Sequence, residues 1–68
     1  MKTIDTSGLG CPQPILMAKK ALNENKEGID VIVDNNTAKN NVERFCKNLG
    51  YSVECKSQGE SFLLEVRR

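Results

Sequence analysis

The alternation of apolar and polar positions predicts four strands. Met1–Asp5 alternates over a short stretch and suits a first strand. Ile29–Asp34 is β-branched and mostly apolar, which is typical of a central strand. Apolar residues then alternate with polar ones over Tyr51–Lys56 and again over Phe62–Val66. These two segments predict a hairpin with one buried face, closed by a turn at Ser57–Glu60.

Apolar positions at helical spacing predict two helices. The first covers Ile15–Asn23, and its core-facing positions are Ile15, Ala18 and Leu22. The second follows the N-cap candidates Asn35, Asn36 and Thr37 and runs to about Leu49, before the helix-stopping Gly50. Its apolar stripe consists of Ala38, Val42, Phe45, Cys46 and Leu49.

The predicted element order is β-α-β-α-β-β. This order favours an α/β (α+β) two-layer sandwich, in which two helices pack on one face of a four-stranded mixed sheet. A chain of 68 residues has room for one small domain, and no linker or repeat divides it. We therefore expect a single domain over residues 1–68.

Composition and charge exclude several classes of function. Apolar residues make up 38% and charged residues 28%, as in a compact soluble domain, and the net charge of +1 argues against direct nucleic-acid binding. No His is present, so an imidazole base and a His-based zinc site are excluded, and we expect neither a metal nor a cofactor. No apolar run approaches the roughly 20 residues that cross a membrane, and the N-terminus does not resemble a signal peptide.

The three cysteines have an odd count and a wide, irregular spacing, which is a poor disulfide framework. A reducing compartment, the cytoplasm, is the favoured location, and one disulfide with a spare thiol is the alternative. Cys46 lies on the stripe of the second helix, and Cys55 shares a strand face with Tyr51 and Val53. Both thiols are therefore expected to be buried.

Cys11 has a different setting. Gly8 and Gly10 form a loop before it, and Pro12 and Pro14 after it are tolerated in the first turn of a helix. We expect Pro12 at or next to the first helical position and Cys11 at the N-cap. The partial positive charge of a helix N-terminus favours a thiolate there.

A single accessible thiolate suits one kind of chemistry in particular. Disulfide exchange normally needs a resolving cysteine nearby, and none lies close to Cys11 in sequence. Carrying a sulfur atom as a persulfide needs only the one nucleophile. The residues therefore favour a group carrier, with a regulatory or protein-interaction domain lacking transfer activity as the alternative.

The stretch Asp5–Leu22, centred on Cys11-Pro12-Gln13-Pro14, resembles the Cys-Pro-x-Pro signature of the TusA/SirA-like sulfur carriers. The resemblance extends over the whole chain. It implies a sulfurtransferase-like carrier, not a stand-alone turnover enzyme, that accepts persulfide sulfur on Cys11 from a cysteine desulfurase or another donor. The resemblance also implies that the sulfur then passes to an acceptor protein. One pathway that the family serves in this way makes 2-thiouridine in tRNA.

The same resemblance implies roles for residues around Cys11. Gly8 and Gly10 would shape the loop, and Pro12 and Pro14 would fix the helix start. The residues that would lie on the partner-docking surface are Gln13, Leu16, Lys19 and Asp34. The chain departs from the family pattern at Gly10, Gln13 and Asn35-Asn36, and these departures leave the partner open.

One subgroup is closer still. Asp34–Phe45 and Gly50–Val53 are similar to the N-terminal domain of YedF-like proteins, which are associated with selenium metabolism. Those proteins often carry a second, DsrE-like domain. Selenium is thus an alternative cargo and a DsrE-like protein a candidate acceptor, and the chain is either a stand-alone homologue or a domain of a longer protein.

Overall fold

Four strands and two helices follow one another in the order that the sequence predicts. The computed structural model describes residues 2–8 and 13–68. The elements are β1 (Lys2–Asp5), α1 (Gln13–Glu24), β2 (Gly28–Val33), α2 (Asn36–Asn48), β3 (Ser52–Gln58) and β4 (Ser61–Arg67). Among the helices of these residues, neither is long and apolar enough to cross a membrane.

The sheet has the strand order β1-β2-β4-β3. β1 and β2 run parallel, with Ile4 opposite Val31, while β4 runs antiparallel to both β2 and β3. Because β1 and β2 are parallel, both end at the same edge of the sheet, and α2 begins there directly after β2. We call this the carboxyl edge.

Both helices cover one face of the sheet, which confirms the two-layer sandwich. α1 packs on β1 and β2, and α2 packs on β3 and β4. The fully buried side chains of the sheet are Ile29, Val31, Val33, Leu64 and Val66, and the helices add Ala18, Val42 and Cys46, with Ala21 and Leu22 buried beside them. Ile15 and Phe45, predicted on the two stripes, are half-buried at the margin of this core.

The predicted burial of Cys55 is wrong. Cys55 lies opposite the buried Leu64, so it faces the helix layer, yet its side chain is exposed. β3 is an edge strand, and α2 covers only its beginning, where Val53 is half-buried. The strands of the hairpin are also longer than predicted, and the turn is reduced to Gly59-Glu60.

Leu49 is a second exception, because it is 53% exposed although its spacing puts it on the stripe of α2. It is the C-cap residue, one position past the last helical residue, and Gly50 follows with a left-handed φ of 95°. At this point the chain leaves the helix axis and turns toward β3. The stripe therefore ends one turn before its apolar spacing does.

Candidate functional site

The residue on which the sequence argument depends lies outside the described residues. Gly10, Cys11 and Pro12 all fall in the interval between Gly8 and Gln13. The predicted N-cap position of Cys11 and the position of Pro12 are therefore not described. The residues that flank this interval on both sides are described, and those before it lie at the carboxyl edge.

Thr6 extends the pairing of the two parallel strands by one residue. Its backbone N–H donates to the carbonyl oxygen of Ile32 at 2.8 Å, and its Oγ1 donates to the same oxygen at 2.6 Å. Its side chain is buried in spite of its hydroxyl, which that bond satisfies. Nothing in the sequence singles out Thr6, since a hydroxyl residue after a strand carries no signal of a partner 26 residues away.

Asp5 and Ser7 form a local turn on either side of Thr6. The N–H of Ser7 donates to Oδ1 of Asp5 at 2.9 Å. Hydrogen bonds from the backbone and the hydroxyl of Ser7 hold the pKa of Asp5 below its usual range. A local turn therefore follows β1 immediately before the loop that leads to Cys11.

Asp34 connects this loop to the start of α2. Its Oδ2 accepts the N–H of Gly8 at 2.7 Å, and its Oδ1 accepts a hydrogen bond from Nδ2 of Asn35 at 3.0 Å. Asn35 in turn caps α2, because its Oδ1 accepts the N–H of Ala38 at 2.7 Å. Asp34 is exposed, as a docking residue would be, but both of its carboxylate oxygens are engaged within the chain.

Gly8 is the glycine of the predicted loop that the structure describes. Its φ of 81° lies in the left-handed region, which an L-residue with a Cβ rarely adopts. A Cβ built on Gly8 would meet no atom within 4 Å. Glycine is therefore required here by the backbone conformation and not by the space around it.

In α1, the residue predicted to support the site is buried, and the residues predicted to dock a partner are exposed. Pro14 is the second residue of α1 and is buried, which confirms that this proline lies in the first turn. Gln13, Leu16 and Lys19, spaced by three, are exposed, and Leu16 is 51% exposed in spite of its apolar side chain. Their exposure is compatible with docking, and their docking role stays a prediction.

The two described cysteines have opposite environments. Cys46 is free and fully buried, and burial raises the pKa of its thiol to about 11, so the thiol is neutral at pH 7. Cys55 is free and exposed on β3. Within residues 2–8 and 13–68, no group of three or more His, Cys, Asp or Glu side chains could hold a metal ion.

Comparison with known proteins gives consistent matches over nearly the whole chain. The family model described as Sulfurtransferase TusA matches residues 2–68. The sulfur carrier protein TusA of Allochromatium vinosum is 35% identical over 68 residues, which cover 96% of this chain and 90% of that protein. A protein of Methanocaldococcus jannaschii, provisionally named a sulfur carrier, is 43% identical over 63 residues, 90% of this chain and 84% of its own.

A solved structure has the same fold. The crystal structure of a SirA-like protein from Desulfitobacterium hafniense superimposes with a TM-score of 0.89 at 32% sequence identity. The superposition covers 98% of this chain and 96% of that one. The element order and the two-layer arrangement described above are therefore shared with a protein of known structure.

Proposed function

This chain belongs to the TusA family, and on that premise we propose that it is a sulfur carrier whose acceptor atom is Sγ of Cys11. The observation that carries the proposal is the match over residues 2–68 to a family whose members include proteins named sulfur carriers. The Cys-Pro-x-Pro sequence at Cys11 supports the choice of residue. Cys11 precedes the first described residue of α1 by two positions, where a helix N-terminus would favour its thiolate.

The proposed step transfers one sulfur atom between two thiols. The Cys11 thiolate attacks the terminal sulfur of a persulfide on the donor protein, forming a new S–S bond to Cys11. The S–S bond of the donor breaks, and the donor cysteine leaves as a thiolate that takes up a proton from water. One S–S bond replaces another, so the step requires no external oxidant or reductant. Delivery is the same exchange with the acceptor thiol as the nucleophile.

The described part of the molecule limits which other thiol can take part. Cys46 is buried and neutral, so it cannot attack a partner's persulfide at pH 7. Cys55 is exposed on the edge strand and is the competing thiol within the chain. Any test of the carrier function must therefore separate Cys11 from Cys55.

We take the donor to be a cysteine desulfurase and the acceptor to be a second thiol protein. The resemblance supplies a DsrE-like protein as candidate acceptor, thiolation of tRNA as a destination, and selenium as alternative cargo. A persulfide relay needs reduced thiols, which fits a cytoplasmic location. The exposed Gln13, Leu16 and Lys19 would meet the partner beside Cys11.

The test is intact-mass spectrometry after incubation with a cysteine desulfurase and cysteine, followed by peptide mapping. The expected result is a gain of one sulfur atom that is removed by dithiothreitol and maps to Cys11. A Cys55→Ser variant should load normally, and a Cys11→Ser variant should not load. Absence of a gain with several persulfide donors, on folded protein whose Cys11 is still alkylated by iodoacetamide, would favour the interaction-domain alternative.

A further inference from the structure

The helix layer contains a groove that shares only Lys19 with the residues assigned to partner docking in the proposed sulfur transfer. It has a volume of about 510 Å³ and lies where α1 and α2 end beside the beginning of β3. Leu22, Phe45 and Leu49 supply apolar surface to it. Leu49 is 53% exposed, and covering an apolar side chain of that size with a partner would be favourable.

The rim of the groove is positively charged. Lys19, Lys26 and Arg68 line it, and no Asp or Glu does. Within the described ranges none of these three cations forms an ion pair. The ion pairs of those ranges join other residues: Lys47 to Glu43, Lys56 to Glu65, and Arg67 to Asp30. On a chain with a net charge of only +1, this is a local concentration of unpaired positive charge.

Hydrogen bonds hold the walls of the groove in place. The hydroxyl of Tyr51 donates to the carbonyl oxygen of Lys26 at 3.0 Å, and this bond ties the start of β3 to the turn after α1. The backbone N–H of Arg68 donates to the carbonyl oxygen of Glu27 at 3.3 Å. The groove is therefore preformed, which lowers the entropic cost of binding.

We propose that this groove binds an acidic segment of a partner protein. An apolar side chain of the segment would cover Leu49 and Phe45, while carboxylates beside it would pair with Lys19, Lys26 and Arg68. A peptide fits better than a nucleic acid, because the most exposed apolar side chain of the groove is the aliphatic Leu49, whereas the rings of Phe45 and Tyr51 are partly buried against the core. The proposal does not depend on Cys11, so it can stand or fall separately from the carrier function.

The test uses a defined acidic peptide and isotope-labelled protein in NMR titrations. The probe is a dodecapeptide of Asp and Glu with Leu-Phe at its centre, and the matched control peptide has Ser-Ser there. An oligonucleotide of equal charge is the third probe. We expect saturable shifts at the amides of Leu22, Lys26, Phe45 and Leu49 with the Leu-Phe peptide, and weaker binding with both other probes and at higher salt.

Two pairs of matched variants locate the site. Lys19→Glu should weaken binding on the order of three- to tenfold, whereas Lys20→Glu, an equal charge change on the adjacent residue outside the groove, should have a much smaller effect. Leu49→Ser should weaken binding, and Leu16→Ser, at an equally exposed leucine elsewhere on the helix layer, should not.

Several results would overturn the proposal. Equal effects of Lys19→Glu and Lys20→Glu would mean that only overall charge matters. Tighter binding of the oligonucleotide would make the surface a nucleic-acid site. Concentration-dependent self-association with shifts at Leu49 would assign the groove to a second copy of this chain, and no saturable shift with the Leu-Phe peptide would leave the groove without the proposed occupant.

Discussion

The carboxylate of Asp34 connects the loop before Cys11 to the start of α2 through Gly8 and Asn35. Gly8 and Asn35 are far apart in sequence, and each bonds to a different oxygen of the Asp34 carboxylate. An aspartate that the family resemblance assigns to partner docking thus also has an internal role. Loss of this side chain should affect the free energy of unfolding even when no partner is present.

We expect Asp34→Ala to lower the free energy of unfolding by about 1–2 kcal/mol, because it removes a charged acceptor from two exposed hydrogen bonds. Urea denaturation followed by circular dichroism measures this change. Glu60→Ala, which removes a carboxylate from the exposed hairpin turn, is the control and should change stability by less than about 0.5 kcal/mol. Equal effects of the two substitutions would show that the Asp34 bonds contribute nothing.

Cys46 makes stability depend on alkaline pH. Its thiol has a pKa near 9 when unfolded and about 11 when folded, because burial disfavours the thiolate. Between these values the unfolded chain binds fewer protons than the folded one. The free energy of unfolding should therefore fall as pH rises from about 9 toward 11, with a slope of up to about 1.4 kcal/mol per pH unit.

The slope is measured by urea denaturation at several pH values across this range. Cys46→Ala should remove the Cys46 contribution and give a shallower fall, although the variant is less stable at neutral pH because of its cavity. Cys55→Ala, which removes an exposed thiol and leaves Cys46 in place, is the control and should keep the Cys46 contribution. A parallel fall in all three proteins would assign the pH dependence to other groups.

Among the elements, the helices were predicted most closely because their signals are local. The stripe of α2 and its N-cap lie within one segment, and the structure confirms Asn35 as the cap. β3 was predicted less well, since its alternation is that of a half-buried strand but its exposure depends on strand order. Whether a strand is central or at the edge is decided by pairing with residues elsewhere in the chain, which alternation alone does not encode.

The edge position of β3 predicts different reactivity for the two described thiols. In the folded protein, Cys55 should be alkylated by iodoacetamide readily, while Cys46 should react only through unfolding of α2 or of the whole chain. Mass spectrometry of peptides over a time course measures both rates. Comparable alkylation rates for the two thiols in native buffer would contradict the assigned burial of Cys46.

For the molecule as a whole, the core is small and concentrated on two central strands. β2 and β4 contribute five fully buried apolar side chains, whereas β1 and β3 are edge strands. A domain of 68 residues has a narrow margin of stability, so single losses in this core are severe. Leu64, in the middle of β4, is one of the largest fully buried side chains of the described residues.

We expect Leu64→Ala to lower the free energy of unfolding by about 2–5 kcal/mol, enough to unfold much of the protein at 37 °C. Leu16→Ala, the same substitution at an exposed helix position, should change it by less than about 0.5 kcal/mol. Thermal melts of both variants make the comparison. Similar melting temperatures would mean that Leu64 is not in the core.

At this scale, the sequence predicted the element order and the two layers but not the contacts at the carboxyl edge. Cys11 was identified from its neighbours in sequence and from the family resemblance, and its role remains a prediction. The bonds from Thr6 to Ile32 and from Gly8 to Asp34 each span 26 residues. They exist because β1 pairs with β2, and no local pattern specifies which polar groups then meet.

These long-range bonds also bear on biosynthesis. A ribosome adds about 5–20 residues per second, so Asp34 is made on the order of seconds after Cys11. β4, which pairs along the other side of β2, follows later still. During that interval the bond between Gly8 and Asp34 cannot yet exist, so the loop before Cys11 has no link to the start of α2. The hydrogen bond that joins the two sides of the carboxyl edge therefore forms only after β2 and Asp34 have been synthesised.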